Sequence, residues 1–140
     1  MIAVGERLSV DFEVPFHDVD ALRVVWHGHY YKYAELARTQ LMRACGLDGE
    51  DLLKTGYRLY VVVSRCRYVA PLRYADEARA TAWFTDVANR LNIGFEITNR
   101  STGSRAAKGH TILATVDEAG ELLLKTPAAI RARVRERPPA

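Results

Sequence analysis

The chain has 140 residues, of which 49% are apolar and 26% charged, so its composition fits a folded globular protein and excludes disordered or collagen-like chains. Its length fits one domain over residues 1–140, and its longest aliphatic run, about Leu59–Val63, is too short to cross a membrane. The formal net charge of +3 equals that of residues 131–137, which leaves a neutral body and argues against a nucleic-acid partner.

The two cysteines, Cys45 and Cys66, lie far apart and lack the spacing of a metal-ligand pair. The N-terminal stretch does not combine a basic region with an apolar one, as a secretory signal would. We therefore expect reduced thiols that pack within their elements, in a cytoplasmic protein that associates with no membrane.

The first half of the chain predicts a strand followed by a long helix. Residues Leu8–Phe16 alternate as a strand does, and residues 17–27 form a loop. From Gly28 to Cys45 the apolar residues recur at helical spacing and predict a helix of about 16 residues, which Gly46 ends. The apolar stripe of this helix consists of Tyr30, Tyr33, Ala34, Ala37, Leu41 and Ala44.

The second half predicts consecutive strands joined by short turns. Residues 57–70 are rich in β-branched and aromatic side chains, which favour a strand. Alternating patterns follow at residues 78–85, 91–98 and 106–116. Strands joined by tight turns pair antiparallel, so these segments predict a meander.

The C-terminal part predicts two shorter elements. Glu121–Lys125 is a candidate last strand, and Pro127 begins a terminal helix over residues 127–136 (PAAIRARVRE), within a basic tail of about residues 127–140. The order of elements therefore predicts an α+β fold, in which a five- to six-stranded antiparallel sheet packs against one long helix.

The loop before the long helix concentrates the residues that can do chemistry. Its carboxylates and imidazoles are Asp18, Asp20, His17, His27 and His29. A helix N-terminus presents unpaired N–H groups and a positive dipole end, which can stabilise an oxyanion. A nearby carboxylate could then act as nucleophile or general base on a thioester, without a metal.

Two other interpretations of this loop stay open on residue chemistry alone. The carboxylates could make turn hydrogen bonds while the histidines lie at the surface. The pair His27 and His29, with Asp18 and Asp20, could instead bind a metal. The two histidines straddle the helix start and would diverge, so we expect no metal site.

The stretch FHDVDALRVVWHGHYYKYAELART resembles the signature of hotdog-fold acyl-CoA thioesterases, the group that includes 4-hydroxybenzoyl-CoA thioesterase and the Tol–Pal-associated thioesterases. The segment Tyr68–Asp76, with Pro71, is similar to a second segment of that family. The resemblance implies a hotdog fold and hydrolysis of an acyl-CoA, or acyl carrier protein, thioester to a free acid and a thiol. It also implies no cofactor beyond the substrate's own coenzyme A, and a homodimer or homotetramer with its active site between subunits.

The same resemblance implies roles for individual residues. Asp20 takes the position of the catalytic carboxylate, as nucleophile or general base, and Asp18 that of a structural carboxylate. The backbone N–H groups of His27 and Gly28 would bind the thioester carbonyl, and the His27 imidazole would assist catalysis. Three more residues are expected to contact substrate: Tyr30, Ser64 and Arg90.

The chain departs from the family pattern at Arg23, where glycine is common. If that position takes a positive φ, arginine would be strained there. Two other functions on the same fold stay open: a module that binds acyl-CoA without hydrolysing it, and an enoyl-thioester hydratase or dehydratase.

Overall fold

The computed structural model describes residues 2–136. The strands are β1 (Leu8–Glu13), β2 (Arg58–Tyr68), β3 (Glu77–Asp86), β4 (Leu91–Asn99) and β5 (Arg105–Val116). The helices are α1 (His29–Ala44), α2 (Gly49–Leu53) and α3 (Ala128–Arg131), and a 3₁₀ turn (Phe16–Asp18) follows β1. Within these residues, no helix is both long and apolar enough to span a bilayer.

The strands form one sheet in the order β1-β3-β4-β5-β2, and every neighbouring pair is antiparallel. Strands β3 to β5 pair in succession, as the meander predicts, and β1 lies at one edge of the sheet. The prediction that β2 belongs to the same meander is wrong, because β2 pairs with β5 at the other edge and not with β3. The predicted α+β arrangement is thus confirmed, with five strands in the sheet.

Helix α1 packs across one face of this sheet. Its buried residues Tyr33 and Leu41 belong to the same apolar core as Ala80 and Phe84 of β3. Side chains alternate along a strand, so the intervening residues of β3, such as Trp83, point to the opposite face. We call that second surface the open face of the sheet, because no helix covers it within residues 2–136.

The predicted strand at Glu121–Lys125 is wrong. Only Leu122 forms a bridge, with Val116, and the segment is otherwise irregular. Strand β5 pairs with β2 on one side and with β4 on the other as far as Leu113, which pairs with Leu91, the first residue of β4. The returning chain therefore finds only the last few residues of β5 free to pair.

The predicted helix from Pro127 is also much too long. Pro127 precedes α3, which ends at Arg131. The chain leaves the helix because its next residues pair with the N-terminal segment: Arg135 N donates to Ile2 O at 2.9 Å, and Val4 N donates to Arg135 O at 2.7 Å. The end of the predicted basic tail, residues 137–140, lies outside the described residues. Helix α2 has no counterpart in the prediction.

Candidate active site

The loop before α1 folds into a tight hairpin. Val19 and Val25 form an antiparallel bridge, and Asp20 N donates to Val24 O at 3.0 Å. The next hydrogen bond of the hairpin joins Trp26 N to Asp18 O at 3.1 Å. The two ends of the motif therefore meet just before the helix begins, with Asp20 on one arm and His27 following the other.

Arg23 occupies the turn of this hairpin with a φ of 64°. Its N–H donates to Asp20 O at 2.9 Å, which closes the turn. This is the left-handed conformation in which a side chain costs energy and glycine does not. The position thus has the positive φ that would strain an arginine, and Arg23 itself points into solvent.

The Asp20 carboxylate is partly buried, and only one of its two oxygens accepts a hydrogen bond from the described chain. Its Oδ1 accepts a hydrogen bond from Leu22 N at 2.8 Å, which fixes the side chain across the hairpin turn. Its Oδ2 accepts no hydrogen bond from any residue of the described chain. The turn thus orients the carboxylate and leaves one oxygen available for chemistry.

The start of α1 presents two unpaired backbone donors. The first N–H groups that bond within the turn are those of His29 and Tyr30, which donate to Trp26 O and His27 O. The N–H groups of His27 and Gly28 donate no hydrogen bond within residues 2–136, and no side chain caps the helix. Such donors, at the positive end of a helix dipole, can stabilise negative charge on the oxygen of a bound group.

Glycine at position 28 leaves room for the Trp26 indole, and its φ of −65° makes no demand for glycine. The indole of Trp26 lies directly against it, so that a Cβ at Gly28 would collide with the Trp26 ring. The same indole packs near the rings of His27 and His29, at centroid distances of 5.1 and 5.3 Å.

Tyr68, at the end of β2, is a site residue to which the sequence prediction gave no role. Its hydroxyl donates to His27 O at 3.0 Å. That carbonyl belongs to the same peptide unit as the Gly28 N–H, and in a trans peptide the two groups point in opposite directions. Tyr68 therefore fixes the direction of the Gly28 N–H and strengthens it as a donor. Burial, with the neighbouring Cys66 thiol, raises the pKa of Tyr68 to about 12, so the hydroxyl stays protonated at neutral pH.

A shallow cavity of about 280 Å³ opens beside this peptide. It is lined by Val25, His27, Tyr30, Tyr68, Val69, Ala70 and Pro71. The structure thus brings His27 and Tyr30 together in one mainly apolar groove, whereas Asp20 and Gly28 are not among its lining residues. Tyr30 is buried and its hydroxyl accepts a hydrogen bond from Leu72 N at 3.2 Å, so this residue forms a fixed part of the groove wall.

The other two expected substrate contacts lie outside this groove in the single chain. Ser64 is exposed on β2, opposite Thr111 of β5. Arg90 lies in the turn between β3 and β4, where its Nη1 donates to the carbonyls of Leu123 and Leu124 at 2.8 and 2.9 Å. The register of the sheet places that turn at the far end of the strands from Tyr68, roughly 20 Å away.

Asp18 joins the hairpin to α1. It is buried, and it accepts hydrogen bonds from Lys32 Nζ and Tyr33 Oη, each at 2.6 Å. Burial opposes its charged form, but the two hydrogen bonds and the Lys32 charge outweigh burial and hold the pKa of Asp18 below its ordinary value. Both of its oxygens are thus occupied, as a structural carboxylate requires. Over residues 2–136, no three potential metal ligands converge.

Comparison with known proteins relates this chain to a family. A model of the thioesterase-like superfamily matches residues 14–134. A protein of Synechocystis sp., provisionally named an esterase, is 31% identical over 132 residues, which cover 92% of this chain and 80% of the relative. YneP of Bacillus subtilis, provisionally named an acyl-CoA thioesterase, is 30% identical over 76 residues, or 54% of this chain and 55% of its own length.

A solved structure agrees over most of the chain. The DHNA-CoA thioesterase from Staphylococcus aureus superposes with a TM-score of 0.76 at 22% identity, over 84% of this chain and 80% of that one. The fold is therefore the hotdog fold. The chain belongs to the thioesterase-like superfamily, and it is a thioester hydrolase.

Proposed function

We propose that this protein hydrolyses acyl-CoA thioesters with Asp20 as its catalytic carboxylate and the start of α1 as its oxyanion site. The observation that carries the proposal is the pairing of two features within one hairpin and the helix that follows it. Asp20 keeps one carboxylate oxygen uncommitted, and the N–H groups of His27 and Gly28 lack partners within the described chain.

In the proposed reaction the thioester carbonyl oxygen accepts hydrogen bonds from the two N–H groups. Either Asp20 attacks the carbonyl carbon, or it takes a proton from the water that does so. Negative charge that develops on the oxygen is stabilised by the N–H groups and the helix dipole. The carbon–sulfur bond then breaks and the thiolate leaves; where Asp20 is the nucleophile, water next hydrolyses the acyl–Asp20 anhydride, which releases the free acid and restores the carboxylate. In this proposal the imidazole of His27, which is exposed and lines the groove, supplies a proton to the departing sulfur.

Tyr68 acts in this proposal as a positioning residue. It does not touch the reacting atoms, but it holds the carbonyl of the peptide whose N–H faces the substrate. A donor that is already fixed needs no reorganisation as charge develops, which is the main source of oxyanion stabilisation. The apolar lining of the groove suits an apolar or aryl acyl group.

The site is proposed to be completed by a second copy of the chain. Strand β2 lies at the edge of the sheet, and four consecutive exposed apolar residues occupy its middle: Tyr60, Val61, Val62 and Val63. A long apolar edge is a ready template for pairing with another strand. The other edge, β1, is shorter and carries Asp11 and Glu13. We therefore propose a homodimer joined through β2, or a tetramer of such dimers, with Ser64 of one copy near the groove of the other.

The free thiols of Cys45 and Cys66 fit a reducing compartment, and we place the reaction in the cytoplasm. No cofactor enters the proposed steps, since coenzyme A is itself part of the substrate.

The test is thiol release from short-chain, long-chain and aryl acyl-CoAs by Asp20→Asn. We expect the rate to fall at least about 100-fold, because asparagine cannot act as base or nucleophile. The fold should persist, because the amide oxygen can still accept the Leu22 hydrogen bond. Asp51→Asn, an exposed change in α2, is the matched control.

A wild-type rate in Asp20→Asn would contradict the proposal. Tight acyl-CoA binding by the wild type without thiol release would favour a binding module instead. Conversion of an enoyl-CoA without thiol release would indicate a hydratase.

A further inference from the structure

Basic residues concentrate at one end of the open face of the sheet. A cavity of about 440 Å³ there is lined by Arg7, Arg65, Arg67, Arg105 and Lys108, with Glu96 as its one acidic residue. Glu96 offsets only part of this charge, since its carboxylate lies 3.5 Å from Arg105 Nε and 3.8 Å from Arg7 Nη1. We call this surface the basic furrow.

The basic furrow continues into the groove of the candidate active site. A cavity of about 400 Å³ connects them around the end of β2. It shares Tyr68 and Val69 with the groove, and Arg67, Arg105 and Lys108 with the furrow. One continuous path therefore runs from the groove beside His27 to a cluster of cations, and it changes from apolar to basic along its length.

Repulsion between the cations of the basic furrow lowers the stability of the folded protein. Arg67 and Lys108 are directly opposite each other on β2 and β5, and like charges at such positions repel. Arg65, Arg67 and Lys108 have no acidic partner within ion-pair distance among residues 2–136. An anion bound between them would remove this repulsion. Arg65 and Arg67, two positions apart on one strand, point to the same face about 6.7 Å apart along it.

We infer that the basic furrow binds the phosphate groups of coenzyme A, so that the acyl end of the same molecule reaches the groove. The inference rests on the proposed function. Guanidinium groups match phosphate oxygens in a bidentate geometry, and the volume is that of a small-molecule site. A nucleic acid fits less well, because the basic charge is confined to this end. Towards β1 the same face carries Glu13 and an Asp11 already paired with Arg79 and Arg100.

The inference places phosphate recognition away from Arg90. That side chain holds backbone carbonyls at the far end of the sheet, whereas Arg67 and Lys108 adjoin Tyr68 through the connecting cavity. Phosphate binding in the furrow would also let the protein distinguish coenzyme A thioesters from thioesters of the same acyl group on carriers that lack phosphates.

The experiment compares one acyl group on two carriers, coenzyme A and N-acetylcysteamine, in the full-length protein. Arg67→Gln and Lys108→Gln should each raise KM for the acyl-CoA about tenfold, with kcat within about twofold. Their kcat/KM for the N-acetylcysteamine thioester should equal that of the wild type. Arg58→Gln removes an exposed cation from the other end of β2 and should change neither.

Binding of adenosine 3′,5′-bisphosphate, measured by calorimetry, gives an arm that needs no turnover. The wild type and Arg58→Gln should bind it with the same affinity, and Arg67→Gln and Lys108→Gln should bind it about tenfold more weakly. If no thioester is hydrolysed, the proposed function fails while this arm still tests the furrow.

Three results would overturn the inference. The first is equal loss on both carriers, because that would show an effect on folding or chemistry. The second is a bisphosphate affinity that neither substitution changes. The third needs the same acyl group on an acyl carrier protein as an added substrate: a loss confined to that carrier would make the furrow a docking surface for an acidic protein.

Discussion

Replacing Asp18 by alanine removes the carboxylate that joins the hairpin to α1, and it should destabilise the fold strongly. The Tyr33 hydroxyl, which is buried with its ring, would lose its acceptor, and an orphaned buried donor costs about 1–3 kcal/mol. Lys32 is 49% exposed and is rehydrated when its partner leaves, so its share is ~0–1 kcal/mol. We expect a total loss of about 1–4 kcal/mol in the free energy of unfolding.

A double-mutant cycle measured by urea denaturation separates these contributions. Tyr33→Phe in the Asp18→Ala background removes the orphaned hydroxyl, so the double variant should be no less stable than Asp18→Ala alone. A free energy of unfolding for Asp18→Ala within ~0.5 kcal/mol of the wild-type value, as for an ordinary surface substitution, would refute a structural role of this carboxylate.

The same carboxylate predicts a dependence of stability on pH. Its pKa is lower in the folded protein than the ordinary 3.8, because the Lys32 and Tyr33 hydrogen bonds outweigh the effect of burial. Its contribution is therefore fully present above about pH 4 and is lost as the pH falls through the folded pKa. The stability difference between the wild type and Asp18→Asn should shrink below pH 4. A difference that grows on acidification would contradict the assignment.

Three further predictions follow from the site and the sheet edge. Arg23→Gly should raise the free energy of unfolding by about 1 kcal/mol, since it relieves a positive φ, whereas Arg23→Ala should give no such gain; equal stability of the two variants would argue against strain. Tyr68→Phe should lower kcat about fivefold with KM unchanged, because it loses one neutral hydrogen bond to the peptide that carries the Gly28 N–H, and Tyr74→Phe, an exposed change outside the groove and the β2 edge, is the control; a change in KM alone would contradict a positioning role. If the proposed dimer forms through β2, Val62→Lys should yield monomers in light scattering, while the exposed Leu124→Lys should not, and dimers that persist in Val62→Lys would exclude the β2 edge.

Hydrophobic periodicity along the sequence predicts those helices and strands whose conformation depends mainly on neighbouring residues. The helical stripe that begins at Tyr30 and the alternating residues of β3 to β5 each bury one face, so period alone identifies them. The terminal helix is shorter than its pattern predicts, because Arg135 pairs with the N-terminal segment. That competition is between distant parts of the chain, and no local period reports it.

The candidate site likewise contains some features that the sequence predicts and others that depend on contacts between distant residues. The Asp20 hairpin and the start of α1 are contiguous in sequence, so a motif predicts both. The contact of Tyr68 with His27 joins residues 41 positions apart and depends on the register of β2 with β5. The basic furrow likewise gathers cations from separate strands of a chain whose body is neutral overall, so net charge conceals it.

The most direct measurement of the central claim is the carbonyl stretching frequency of an acyl-CoA bound to Asp20→Asn, observed by isotope-edited infrared spectroscopy. The variant should hold the thioester without cleaving it, and the N–H groups of His27 and Gly28 should lower the stretching frequency below that of the free thioester in water. A bound carbonyl with the frequency of the free thioester, or a thioester that Asp20→Asn cleaves at the wild-type rate, would contradict the account.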